Sequence, residues 1–335
     1  MTRLHGSPIV LALFVALAIV VGSGPAPISA QQDRLVIALY YPWYNEDTWS
    51  DPRLSDTPAT PYNGFDPETI AQHVFWALDV GIDVLVSAWF GPEGDNPTET
   101  NLRQLLDASP PDRLSTAILF ETDSPVFFPS AEAQQAALEY ALNVHAQHPA
   151  YFRYDGKPVI VFWRPRGLFI GAERANRDDA RTVQAWRELR DRVDPERTSV
   201  WIAETDQGIY LDIFDGIVTY NIAAAPDPAV RLAANARVVR DYNARNGTQR
   251  LWVAATMPGY DDTGLLERGD RFARGREDGA YYQRTFAGAV ATNPDWISIN
   301  SFNEWVEGHQ IEPSVTYGNL YLDLTRELTA AWKGR

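Results

Sequence analysis

The sequence predicts a single (β/α)₈ barrel whose active site lies at the carboxyl ends of the strands. Three observations carry this. Short apolar runs alternate with longer helical patterns eight times, no proline- or glycine-rich linker divides the series, and the connections after strands are longer than those before them. The apolar runs are 35–41, 83–90, 115–121, 158–163, 199–204, 216–221, 251–257 and 296–302, each reading as a buried parallel strand. Helical spacing of apolar residues recurs in 67–80, 131–147, 178–193, 228–245, 281–292 and 320–332. A doubly wound open sheet is the alternative, but no glycine-rich GxGxxG turn follows the first run. The long connections 45–66, 164–176 and 259–278 all follow strands, which directs the search for function to that end of the barrel.

Residues 1–30 stand apart. Arg3 precedes an almost wholly apolar stretch, 8–21, and a small-residue region ends with Ile28 and Ala30 bracketing a cut before Gln31. This is the pattern of a secretory signal; the apolar core is short for a bilayer, which needs ~20 residues. The expected mature domain is 31–335, secreted or periplasmic, monomeric and free of the membrane once the signal is cut. The 335 residues are 45% hydrophobic and 22% charged, the balance of a folded chain. A net charge of −15 without long single-sign runs argues against nucleic acid as a partner. With no cysteine there is no disulfide, thiolate metal site or cysteine nucleophile, and five histidines leave few options for a metal cluster. No metal and no cofactor are expected. Asn246-Gly247-Thr248 is a glycosylation sequon, meaningful in a eukaryotic host.

The strand ends collect aromatic and acidic residues: Tyr40, Tyr41, Trp43 and Tyr44; Trp89 and Phe90; Glu121; Trp163 and Arg164; Glu204; Tyr220 and Asn221; Tyr260, Asp261 and Asp262; and Asn303, Glu304, Trp305 and Glu307. Sugar rings lay C–H faces against aromatic rings and present hydroxyls to acceptors, and glycosidic bonds are broken between carboxyl groups. A carbohydrate is therefore the expected partner. Any single aromatic here can equally be core, and Glu121 and Glu204 can equally be acids neutralised by nearby arginines. Asp261 and Asp262 lack the spacing of a calcium loop and suit hydrogen bonding to a turn.

The last strand allows a sharper reading. Ile297 and Ile299 share one parity and suit the helix side, so Ser298, Asn300, Phe302 and Glu304 should point inward, leaving Glu304 at the mouth. Glu307 comes beside it if the chain turns at Trp305, and Gly308 is compatible with that turn. Otherwise it is a solvated loop acid or a structural hydrogen-bonding partner. His73, His145 and His148 fall in or beside helices remote from the mouth, and only His309 is placed to meet a ligand.

Taken together, YYPWY from Tyr40, HPAYFRYDGKPVIVFW from His148, FDGIVTYN from Phe214, ATMPGYDDT from Ala255 and INSFNEWVEGHQIEPS from Ile299 resemble glycoside hydrolase family 99, the endo-α-mannosidase family, and its family 99-like relatives. The last motif is the most specific. The resemblance implies a single barrel that cleaves internal α-mannosidic linkages with retention and without a metal, through a 1,2-anhydro sugar. It makes Glu304 the base that deprotonates the substrate's own 2-hydroxyl and Glu307 the acid for the departing oxygen. It matches Tyr41 and Tyr220 to tyrosines around the reacting sugar and Glu121 to a substrate-binding acid. Trp43, Trp89, Asn221, Tyr260, Asn303, Trp305 and His309 complete the expected binding set. Val306 replaces a usual histidine, His309 a common threonine, and Trp163-Arg164-Pro165 departs from a strict mannosidase, which bears on the glycone. Three alternatives stand beside this: an inactive carbohydrate-binding barrel, a hydrolase in which Glu304 pairs with Glu121 or Glu204 as a direct nucleophile, and a transglycosylase.

Overall fold

Eight strands close on themselves in chain order in a computed structural model that describes residues 1–2, 34–92 and 96–334. The expected signal segment lies outside the described residues. The strands are β1 (Leu35–Tyr40), β2 (Val84–Trp89), β3 (Ser115–Glu121), β4 (Lys157–Trp163), β5 (Val200–Glu204), β6 (Gly216–Val218), β7 (Leu251–Thr256) and β8 (Trp296–Ile299). All neighbouring pairs are parallel; β8 returns to β1 with Val36 opposite Ile297, which makes a barrel and removes the open-sheet alternative.

The outer layer holds α1 (Pro67–Asp79), α2 (Pro97–Ala108), α3 (Ala131–Asn143), α4 (Ala180–Val193), α5 (Pro228–Asn246), α6 (Ala280–Ala291) and α7 (Leu320–Lys333). Their starts follow from local chemistry. Asn96, Asp179 and Asp227 accept backbone N–H groups of the first turn, and Pro97 and Pro228 sit where no donor is needed. The expected eighth helix is missing. Only a 3₁₀ turn, Gly208–Asp212, fits between β5 and β6, because the connection is too short for a helix that spans the barrel.

Alternation along the strands sorts the core into an interior and a helix side. Ile37 and Leu39, Val84 and Val86, Val159 and Val161, Ile202 and Val253 pack together within the barrel. Trp296, at the amino end of β8, closes the bottom against Phe152 and Tyr154 at ring distances of 5.5 and 5.1 Å. With the bottom plugged, access is through the top alone. Ile297 and Ile299 lie on the helix side as expected, but so does Phe302, against Tyr40 and His73. The strand ends at Ile299, and beyond it the two-residue alternation has no ladder to maintain it.

One buried charge ties the short β5–β6 connection to α4. Arg190, only 2% exposed, donates to Asp215, to the Ser199 carbonyl at 2.9 Å and to the Ile213 carbonyl. Asp215 also accepts Trp201 N–H at 2.9 Å and Arg250 at 2.8 Å. Truncation of Arg190 to alanine leaves these acceptors buried with fewer donors, and the expected cost is ~3–5 kcal/mol, read as a lower urea midpoint. A loss under ~1 kcal/mol would show that the junction does not depend on it.

Candidate active site

The segment after β8 folds back on itself and is pinned from several directions. Phe302 N–H donates to Leu39 O at 2.8 Å, and Asn303 exchanges two hydrogen bonds with the Tyr41 backbone, at 2.7 and 2.8 Å, which fuses the segment to the exit of β1. Asn300 donates to Tyr220 O at 2.7 Å, tying it to β6. Residues 305–308 form a turn, with Gly308 N–H on Trp305 O at 3.2 Å. Gly308 has φ +61°, and a Cβ there would meet Ser55 Oγ at 2.8 Å, so both backbone and space demand glycine. Arg276, buried, straps the turn from outside through the carbonyls of Gly308 and Gln310.

Beneath the turn lies a buried polar cluster. Glu312 accepts His73 Nε2 at 2.8 Å, Tyr62 hydroxyl at 2.8 Å and Trp305 indole N–H at 2.9 Å. His73 bonds in turn to the Tyr40 hydroxyl at 3.0 Å. Trp305 is thus fully buried support with its one donor spent, and its expected contact with a ligand is corrected on that ground. His73, placed away from the mouth by its helix, is the far end of the same support.

With the loop so held, Glu304 and Glu307 both reach the bowl. Glu304 accepts the Tyr44 hydroxyl at 2.6 Å and Val306 N–H at 3.1 Å. Glu307 accepts Tyr220 hydroxyl at 2.5 Å on one oxygen and Arg268 at 2.5 Å on the other, with His309 Nε2 3.3 Å away. Glu121 and Glu204 face the same space, and each carboxylate raises the cost of ionising another. Burial first, then Glu307, push Glu304 up to about 8. Burial, then Glu304, Glu307 and Glu204, push Glu121 up to about 8. Burial raises Glu204 to about 7 against the backbone N–H groups of Tyr220 and Arg164. Glu307 goes the other way. Burial works against its charge, but the bond and charge of His309, the Tyr220 hydroxyl and Arg268 hold it at about 2. Since burial itself drives His309 toward neutrality, Arg268 is the permanent cation beside it. The surroundings thus favour the proton on Glu304 and the charge on Glu307.

The walls are aromatic. Trp163 stands edge-on to Tyr220 at 4.3 Å, and Trp43 lies 5.0 Å from Tyr41 and 5.8 Å from Phe90. Trp89 is not among them. It is completely buried on the helix side, donating to Glu99 at 2.9 Å, because Val84, Val86 and Ala88 occupy the inward parity of β2. The next inward position is Phe90, which alternation alone points to. Asn303 is spent on Tyr41, as above, and Asn221 accepts Ala224 N–H at 3.1 Å to close a turn. His309 is fully buried between the Tyr220 hydroxyl, 2.9 Å away, and the stacked ring of Tyr260, so it braces the bowl and does not line it. Tyr260 donates to Asp262, and Asp261 accepts from Thr263, the turn bonding expected of both aspartates. Neither Glu121 nor Glu204 has an arginine ion pair among the described residues; Arg164 instead meets Asp123 at 3.3 Å. Tyr44 stands among the strand-end aromatics, whereas the sequence does not single out Glu312, Arg268 and Arg276, whose partners Tyr62, Glu307 and Gln310 lie 250, 39 and 34 positions away.

A model of glycosyl hydrolase family 99 matches residues 56–329. Glycoprotein endo-alpha-1,2-mannosidase-like protein of mouse is 26% identical over 300 residues, covering 81% of this chain and 63% of its own length. Mouse glycoprotein endo-alpha-1,2-mannosidase is 26% identical over 293 residues, covering 81% and 61%. The chain therefore spans less than two thirds of these curated relatives. The crystal structure of a GH99 endo-alpha-mannosidase from Bacteroides thetaiotaomicron with bis-tris-propane superposes with a TM-score of 0.72 at 24% identity, over 90% of this chain and 97% of that one. An exo-beta-1,4-mannosidase from an Opitutaceae bacterium shares the barrel more loosely, with a TM-score of 0.54 at 11% identity over 90% and 60% of the two chains.

The raised carboxyls set a stability profile. Glu304 in the folded chain keeps a proton that the unfolded chain releases near its ordinary value, so its contribution is present at low pH and is lost as pH rises from about 4.5 to about 8. Glu304→Gln should therefore gain stability relative to the parent across that interval, by roughly the slope of one proton. Urea midpoints of the two proteins that keep a constant separation from pH 5 to 8 would refute the burial of this charge.

Proposed function

The chain belongs to glycosyl hydrolase family 99, and from that premise we propose that it is a retaining, endo-acting hydrolase of α-linked mannose glycans. The observation that carries this is the pair Glu304 and Glu307, held on one turn among aromatic side chains, the first bonded to Tyr44 and the second to Tyr220 and Arg268. In the proposed reaction the ionised Glu304 takes the proton of the substrate's 2-hydroxyl. That oxygen attacks the anomeric carbon, the C1–O bond to the leaving sugar breaks, and Glu307 gives its proton to the departing oxygen. A 1,2-anhydro sugar results. Water, deprotonated by Glu307, then opens it at C1, and Glu304 returns the proton to O2.

The surroundings support these roles. Tyr44 and Val306 N–H stabilise charge on Glu304, as a base requires. Tyr220, fixed by Glu204 at its backbone N–H, 3.2 Å, orients Glu307. Tyr41, Trp43, Phe90 and Trp163 offer faces to the glycone, and Glu121 is a protonated donor or acceptor for its hydroxyls. The N-terminal segment places the protein outside the cytoplasm in this reading, acting as a monomer; no helix among the described residues is long and apolar enough to cross a membrane.

Glu304→Gln and Glu307→Gln should each lower kcat/KM on α-mannans ~10²–10⁴-fold while still unfolding in one cooperative thermal transition. The first sugar released by the parent should be the α-anomer by proton NMR. Efficient rescue of Glu304→Gln by azide, giving an inverted glycosyl azide, would defeat the substrate-assisted route. Tight binding of manno-oligosaccharides with no reducing ends released would favour a carbohydrate-binding barrel.

A further inference from the structure

Both oxygens of Glu307 are occupied in the free protein. One accepts the Tyr220 hydroxyl and faces His309; the other accepts Arg268 Nη1 at 2.5 Å. A general acid must carry a proton on one oxygen and bring it within ~2.6–3.2 Å of the leaving atom. Neither condition is met while the guanidinium is bound. The Arg268 side chain is 40% exposed and the Glu307 side chain 12%, so the arginine covers the carboxylate on its solvent side, where a departing sugar has to stand.

We propose that Arg268 is a positioning residue that fills the leaving-group site of the free protein, and that entry of the leaving sugar moves it from Glu307 onto Asp262. This deepens the hydrolase reading and rests on it. The same Nη1 already lies 3.1 Å from Asp262 Oδ2 and 3.3 Å from the Tyr260 hydroxyl, so the displaced cation keeps an anionic partner. The base of its loop is rigid: Tyr260–Asp261 pairs with Ala273–Arg274, Phe272 stacks on Tyr260 at 4.7 Å, and Phe272 N–H holds Asp262 Oδ1 at 2.7 Å. Only the arginine side chain has to move.

The charges around Glu307 then favour the other protonation state. Arg268, Asp262 and Tyr260 face it from the loop after β7, Tyr220 from β6, Tyr41 from β1, Glu121 from β3, and Glu304 and His309 from its own segment. Removing the adjacent cation leaves the Glu307 charge beside the buried carboxyls of Glu304 and Glu121 with no guanidinium against it, while Glu304 keeps the Tyr44 and Val306 donors. The single proton passes from Glu304 to Glu307, the charge of the pair is unchanged, and base and acid are set for the reaction.

Carbon-13 NMR of the glutamate carboxyls tests this without relying on turnover. Expected is a rise of at least two pH units in the Glu307 midpoint in Arg268→Ala, a smaller one in Arg268→Lys, and a rise in the parent when saturating α-1,2-mannobiose is added. The kcat/KM profile of Arg268→Ala should move to higher pH at both limbs by a unit or more, whereas a purely structural loss lowers the profile without moving it. An unchanged Glu307 midpoint in Arg268→Ala, or in the parent with mannobiose, overturns the proposal. A parent that releases no sugar from any α-mannan overturns the hydrolase reading instead, and the titrations still judge Arg268.

Discussion

Four glutamates share one poorly solvated bowl, and the rest of the upper face is arranged around the cost of keeping them there. Like charges at close range in low dielectric cannot all ionise, and with Glu121, Glu204 and Glu304 raised by burial the bowl holds protons at neutral pH. The one acid that stays ionised, Glu307, does so because a guanidinium, a phenol and an imidazole are aimed at it. A site with this many carboxyls and few cations has an adjustable proton inventory, which two-carboxyl chemistry needs.

That inventory is useful only if the acids keep their places, and their places depend on groups that touch no substrate. Asn303 locks the final turn to β1, Asn300 to β6, Arg276 to the loop before α6, and Glu312 to His73 on α1. Each is a buried polar group with its partners satisfied, and together they convert a loop into something as rigid as a strand. Trp305 and His309 belong to this support. Their positions between and beside the two acids make them look like ligand contacts in the sequence, yet both are enclosed.

The plugged bottom and the polar top complete the arrangement. Trp296 fills the amino end of the barrel, so apolar burial stabilises the half away from the chemistry, while polar and charged residues gather at the other half. The short β5–β6 connection, which forgoes a helix, brings Glu204 and Tyr220 close enough for the carboxylate to hold the Tyr220 backbone.

Hydrophobic periodicity determined the eight strands and six of the seven helices, because alternation along a laddered strand and spacing along a helix are local properties. Trp89, expected among the ligand contacts, lies on the helix side instead, because Val84, Val86 and Ala88 hold the inward parity of β2 and Phe90 is the next in that row. Where the ladder stops, that logic stops: Phe302 turned outward three residues beyond the end of β8. What only the tertiary structure decided is which side chains spend their hydrogen bonds on one another. Arg268 meets Glu307 across 39 positions and Tyr44 meets Glu304 across 260. Such pairs leave no spacing in the sequence, and they decide where the proton sits.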